Sequence, residues 1–352
     1  MAKRSPAQDT AEADRIEGVD HPRQTTRLIG QNSAAAIVAR ALRSRRPPQA
    51  WLICGPPGVG KATLAYRIAR YLLAYGAGDK GPADLSVPAN DPAAVQTAAG
   101  SHPGLLVLKR GADPNTGKLM SVLSVGEVRR LSGFFGMTSG AGGWRVAIVD
   151  TADDMNDAAA NALLKLLEEP PLRAMLLVLS NTPGRLLSTI RSRCQRLNLR
   201  PIGESDMETE LARLVPDLSN GERASLVRLS GGSLGAALRL AGGDGVMLAQ
   251  EADRLIDQAA QPDIPALFAF SDKLSRITDG LDAFGGFLTQ ALAERIRARA
   301  LTRQPQLDRW VRALEKLSRN FGRTDALHLE PRQTLLGAVC EMSAATRRAG
   351  AV

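Results

Sequence analysis

The chain has 352 residues, which at about 100–200 residues per domain predicts two or three domains. Hydrophobic residues make up 44% and charged residues 23%, so a core can form without a disulfide scaffold. The formal charge of +9 permits a polyanionic partner, while 4% aromatics without basic-aromatic interleaving give no base-stacking platform. Cys54, Cys194 and Cys340 lie far apart and form no metal spacing, which predicts a reduced, cytoplasmic protein with no metal site. The longest apolar runs, such as Ala174–Leu179, are too short to span a bilayer, so no membrane association is expected. Acidic residues from Asp9 to Asp20, with no apolar stretch among them, argue against a secretory signal or transit peptide.

Residues 1–24 are polar and of mixed charge, and read as a disordered tail. A helix is predicted at Asn32–Leu42, capped by Asn32 or Ser33 and ended by the arginines before Pro47-Pro48. A strand follows at Trp51–Cys54, then a Gly/Pro turn and a helix from Lys61 to about Ala74. Residues 76–103 read as a surface insertion, rich in Gly, Ala, Pro and Asp. Leu105–Leu108 is a second strand, and Ser124 to Glu127 has capping-box spacing before a helix. A loop with Gly136, Gly140, Gly142 and Gly143 leads into strand Arg145–Val149. A helix over Asn156–Glu169 stops at Pro170-Pro171. Met175–Ser180 and Gln195–Leu199 are further strands. Short apolar strands alternating with helices predict an α/β fold with a parallel sheet covered on both faces. Beyond Pro201 only helices are predicted. Ser219 and Glu222 have capping-box spacing, Gly231-Gly232 ends that helix, and Ser233 is a candidate cap for the next.

Gly55-Pro-Pro-Gly-Val-Gly-Lys61-Ala-Thr63 lies between a predicted strand and helix, where a phosphate-binding loop belongs. Gly55, Gly58 and Gly60 let backbone N–H groups converge on phosphate oxygens, the helix N-terminus adds positive potential, and Lys61 would reach the β/γ-phosphates. Ala62 follows the lysine and offers Mg²⁺ no oxygen. Thr63 comes one residue late, about 100° round the helix. Val146-Ala-Ile-Val-Asp150 is an apolar strand ending in a carboxylate suited to a metal-bound water. The next residue, Thr151, cannot act as the base that polarises an attacking water. Asp153 and Asp154 are at the wrong spacing to replace it.

Asn161-Ala-Leu-Leu-Lys-Leu-Leu-Glu-Glu-Pro-Pro171, then Ser192-Arg193-Cys194, resembles the clamp-loader branch of the AAA+ superfamily, the branch that serves bacterial DNA polymerase III. Leu28-Ile-Gly-Gln31 and Ser101-His102-Pro103 also fit, and the resemblance covers about 22–243. It implies an AAA+ domain over 25–200, a small helical lid over 201–243 and an all-α oligomerisation collar over 244–352. It implies that Arg193 is an arginine finger acting in trans, since a guanidinium keeps its charge and can fork onto γ-phosphate oxygens. Asn181 falls at the first sensor position. The second sensor, ordinarily an arginine, is Gly235 here, with Arg239 a turn later.

Ala62, Thr151 and Gly235 each remove part of the machinery for using ATP in cis, whereas Arg193 is kept. The resemblance therefore implies a non-hydrolysing clamp-loader subunit that catalyses nothing alone and needs no cofactor, with weak ATP or ADP binding left open. Its implied partners are gamma/tau-type motor subunits, a clamp-opening delta subunit, the sliding clamp and the backbone of primer-template DNA. Arg40, Arg43, Arg45, Arg46, Arg129 and Arg130 are candidates for that backbone contact. The alternative is an active motor of the gamma/tau type. Relatives often carry a four-cysteine zinc module, but 75–104 holds no cysteine, so zinc is not expected.

Overall fold

In the computed structural model of the chain, the described residues are 19–44, 46–78, 80–110, 122–136, 143–277, 280–302, 307–327 and 330–347. They fall into two compact units, one of the described residues up to Leu214 together with Gly232–Ala236, the other of Val215–Gly231 together with the described residues from Ala237 onward. The segment expected as a lid, 201–243, is thus divided between the two.

The first unit contains, in chain order, α1 (Asn32–Leu42), β1 (Ala50–Cys54), α2 (Lys61–Tyr75), α3 (Pro92–Ala99), β2 (Leu105–Leu108), α4 (Val125–Gly136), β3 (Arg145–Val149), α5 (Asp157–Glu168), β4 (Ala174–Ser180), α6 (Ser188–Arg193), β5 (Gln195–Asn198) and α7 (Glu204–Leu214). The five strands make one parallel sheet in the order β2-β3-β4-β1-β5. The central strands β1 and β4 are buried along their whole length, as a sheet covered on both faces requires. Trp51 and Ile53 of β1 pack into one core layer with α1 and α2. Leu52 and Cys54 face the other layer, with α4, α5 and α6.

Several local expectations change. The helix over Asn32–Leu42 forms, but neither Asn32 nor Ser33 caps it; the cap position is Gln31, whose side chain is used elsewhere. The segment 76–103 is not only a surface insertion. It contains α3, capped by Asp91, whose side chain accepts from the Ala93 N–H at 2.8 Å. The helix buries Ala93, Ala94 and Thr97, and small residues give too little apolar signal to mark such a face. At α4, Ser124 Oγ accepts from the Glu127 N–H at 3.4 Å, while the Glu127 carboxylate pairs with Arg130. Residues 1–18, Arg45, Gly140 and Gly142 lie outside the described residues. Of the segment expected as a tail, 1–24, residues 19–24 are described: His21–Thr25 form a turn, and the buried Arg70 of α2 donates to the Thr25 carbonyl at 2.6 Å.

The second unit is helical: α8 (Asn220–Leu229), the end of α9 (Leu234–Ala241), α10 (Gly245–Asp257), α11 (Ile264–Leu274), α12 (Gly280–Leu301), α13 (Leu307–Leu327) and α14 (Pro331–Arg347). α8 starts with the full reciprocal capping box of Ser219 and Glu222. The core is built on Phe270, Phe284 and Phe321, with ring centroids 4.9 Å and 6.4 Å apart in succession. No helix among the described residues is long and apolar enough to cross a membrane.

Candidate functional site: a phosphate loop and a surface arginine

The glycine-rich loop leaves the carboxyl end of β1, a central strand, and runs into α2. Gly58 (φ +76°) and Gly60 (φ +99°) take left-handed conformations that a side chain would strain. Gly55 is needed for another reason, because a Cβ there would lie 3.1 Å from the Leu199 carbonyl oxygen. Gly60 caps α2 without a side chain, so the first N–H groups of the helix open toward the loop.

Every carbonyl of this loop is satisfied by the chain itself. Lys61 is buried, and its Nζ donates to Gly55 O at 2.8 Å and to Pro56 O at 2.7 Å. Ser233 Oγ donates to Pro57 O at 2.7 Å, and the Gly235 N–H to Gly58 O at 3.0 Å. Gln31 Nε2 donates to Val59 O at 3.3 Å and to Arg200 O at 2.7 Å, and the Leu64 N–H to Gly60 O at 3.0 Å. The segment Gly232–Ala236 therefore stitches down the loop. Ser233 caps α9 as expected, accepting from the Ala236 N–H at 3.1 Å. A Cβ on Gly235 would stand 2.9 Å from Gly58 Cα, so no side chain fits at the second-sensor position. Arg239 belongs to the other unit. Ala62 packs against the core, and Thr63 is half-buried one step further along α2.

The sheet brings Asp150 and Asn181 to the same edge as the loop, at the ends of β3 and β4. Thr151 has φ +51° and begins a single helical turn, Ala152–Asp154. That turn points Asp153 at β4, where its carboxylate accepts from Ser180 Oγ at 2.6 Å, the Asn181 N–H at 2.5 Å and the Thr182 N–H at 3.3 Å. Asp153 thus holds the turn after β4, the segment of Asn181, a role its spacing in sequence concealed.

Arg193 ends α6, with its side chain 37% exposed. Its Nη2 pairs with Glu168 Oε1 at 2.9 Å, and its Nη1 donates to Thr189 O at 3.2 Å. Glu168 is the last residue of α5, where the helix dipole disfavours a carboxylate, and the guanidinium offsets that cost. The neighbouring Cys194 is buried as expected of a packing residue. Burial, then proximity to Cys54, pushes its thiol up to about 12. Gln31, Asp153, Glu168 and Ser233 all matter to this geometry. Of these Ser233 carried a sequence signal as a helix cap, and Gln31 and Glu168 as parts of motifs, whereas the role of Asp153 had none.

Of the basic candidates, Arg43 donates to Gly81 O at 3.0 Å and Arg130 pairs with Glu127, while Arg40 and Arg129 are exposed. Among the described residues no cluster of side chains could hold a metal ion.

A parallel sheet in this order, with a phosphate loop leaving β1 and an arginine closing the helix before β5, defines an AAA+-type P-loop domain. The family model described as "DNA polymerase III, delta subunit" matches residues 30–203. A DNA polymerase III subunit delta' from Pseudomonas aeruginosa is 39% identical over 55% of this chain, and one from Escherichia coli is 37% identical over 56%. Residues 30–203 thus match the DNA polymerase III delta-subunit family model and resemble delta' subunits. The match spans 56% of the length of each of those two relatives. A DNA polymerase III subunit tau from Bacillus subtilis is 27% identical over 75% of this chain and 41% of its own length.

Proposed function

We propose that this chain is the delta-prime-type, non-hydrolysing subunit of a bacterial DNA polymerase III clamp loader, acting in the cytoplasm. The observation that carries the proposal is the self-satisfied loop. Lys61 is turned onto Gly55 O and Pro56 O, and Ser233 and Gly235 hold the next two carbonyls. ATP would have to draw Lys61 off those two carbonyls, and would then find neither a hydroxyl at Ala62 nor a base at Thr151. We assign no resident nucleotide and no required cofactor. Arg193 is the residue offered to a partner: it would reach the γ-phosphate held by an adjacent gamma/tau-type subunit and stabilise the charge of its transition state. The remaining partners in this reading are a delta subunit, the sliding clamp and primed DNA. Contact with DNA would go through phosphates to exposed residues such as Arg40 and Arg129, and would weaken with salt.

The test is ATP turnover with clamp and primed DNA, by the isolated chain and by the reconstituted complex. The expected result is no turnover alone and full turnover in the complex. Turnover by the isolated chain that is lost in Lys61→Ala would establish a motor subunit instead.

A further inference from the structure

The sequence holds one asparagine followed by glycine, Asn220-Gly221. Both residues are exposed and form the first two positions of α8, in the second unit. A Cβ on Gly221 would meet nothing within 4 Å, so the approach to its nitrogen is open. Among the described residues the Gly221 N–H has no acceptor, because the Ser219 hydroxyl takes the Glu222 N–H instead, at 3.3 Å. Asn220 Oδ1 accepts from Arg223 Nη2, and the guanidinium polarises the side-chain carbonyl carbon, Cγ. The positive end of the helix adds to that field.

Bringing Gly221 N onto Asn220 Cγ requires a rotation about the Cα–C bond of Asn220. In mid-helix that rotation would break the turns on one side. At the first helical position only the chain before Asn220 has to turn, while the peptide group joining Asn220 to Gly221 stays in the helix. What is lost is the cap. The Ser219 N–H and Oγ leave Glu222 Oε2, at 2.9 and 2.7 Å, and Arg223 leaves the Ser219 and Leu218 carbonyls, at 3.0 and 2.5 Å. Helix ends open locally at far lower cost than helix interiors.

We infer that Asn220 is a site of covalent modification, deamidating through a cyclic imide at a rate gated by the Ser219–Glu222 cap. The Gly221 N–H gives its proton to water, and the nitrogen bonds to Asn220 Cγ. The Cγ–Nδ2 bond breaks, and Nδ2 leaves as ammonia with a proton from water. One water then opens the imide at Cγ, giving an aspartyl residue, or at the backbone carbonyl, giving an isoaspartyl residue. One water is consumed, one ammonia is released, and nothing is oxidised. The new carboxylate lies at the helix N-terminus beside Arg223, where negative charge is favoured, and the formal charge of +9 falls by one. The isoaspartyl product adds a methylene to the backbone between Ser219 and Glu222 and so breaks their reciprocal cap. The inference is independent of the clamp-loader assignment.

The test is timed incubation of the full folded chain near neutral pH, followed by trypsin and mass spectrometry. Cleavage after Arg213 and Arg223 releases Leu214–Arg223, whose only side-chain amide is that of Asn220. The acid form of this peptide should accumulate with time in the folded chain, more slowly than in the free peptide of the same sequence. Ser219→Ala removes the cap and should speed conversion about fivefold, the factor equivalent to the about 1 kcal/mol a cap contributes. Gly221→Ala obstructs ring closure and should slow it at least about tenfold; the open surroundings of Gly221 let this variant keep the fold. Three results would each overturn the inference: no conversion in the folded chain while the free peptide converts, an unchanged rate in Gly221→Ala, or no acceleration in Ser219→Ala.

Discussion

Replacing Arg193 by alanine separates a structural role from one in trans, because the two differ greatly in size. Among the described residues, Arg193 makes one ion pair and one hydrogen bond, both at the surface, with its side chain 37% exposed and that of Glu168 51% exposed. An exposed pair of this kind contributes about 0.2–1 kcal/mol and is screened by salt. In a unit of this size, 1 kcal/mol corresponds to about 2–4 °C in Tm. Arg193→Ala should therefore melt within about 4 °C of the wild type, and the difference should shrink in high salt. An arginine finger contributes about 10³–10⁵ in turnover, or about 4–7 kcal/mol. If one neighbouring site depends on Arg193, ATP hydrolysis at that site should fall by at least about a hundredfold in a complex that still assembles. The assay is single-turnover hydrolysis in the reconstituted complex, with assembly checked by gel filtration and stability by calorimetry. Turnover at every site within about twofold of wild type, with assembly intact, would refute the assignment, and Arg193 would then be only the ion-pair partner of Glu168.

Three other outcomes follow from the same geometry. Glu168→Gln frees the Arg193 guanidinium from its pair, so it should raise nucleotide affinity at the adjoining site of the complex. That gain should vanish in the double variant with Arg193→Ala, and a gain that persists there would have another origin. Gly58→Ala puts a Cβ at φ +76° against Ser233 Oγ and should destabilise the first unit by about 1–3 kcal/mol, read as a fall in Tm. Cys194 should make stability fall with rising alkalinity. Its thiol ionises near 9 in the unfolded chain but only at about 12 when folded, so above pH 9 the unfolded state holds fewer protons and is favoured. Denaturation curves across that range, compared with Cys194→Ala, should show the slope removed; an identical slope would mean other groups cause it.

Strand positions were readable from the sequence because β1, β3 and β4 are short apolar runs set between turn residues. The phosphate loop was readable because positive φ at Gly58 and Gly60 demands glycine. The departures at Ala62, Thr151 and Gly235 were readable too, since each is a missing functional group. α3 was obscured because its buried face is made of alanine and threonine, which carry little hydrophobic contrast. The cap of α1 was misplaced because Gln31 spends its amide on Val59 O and Arg200 O.

The sequence alone determined which chemical groups are present and which are absent. It gave a lysine without its metal-binding neighbour, a strand-end aspartate without a base, and an arginine in its motif. Tertiary structure decided what those groups touch. Lys61 satisfies carbonyls five and six residues before it, Ser233 reaches back to Pro57, and Glu168 meets Arg193 across two helices. Such partners depend on how the chain returns to the sheet edge. That return is set by burial of the strand and helix faces, which no local spacing records.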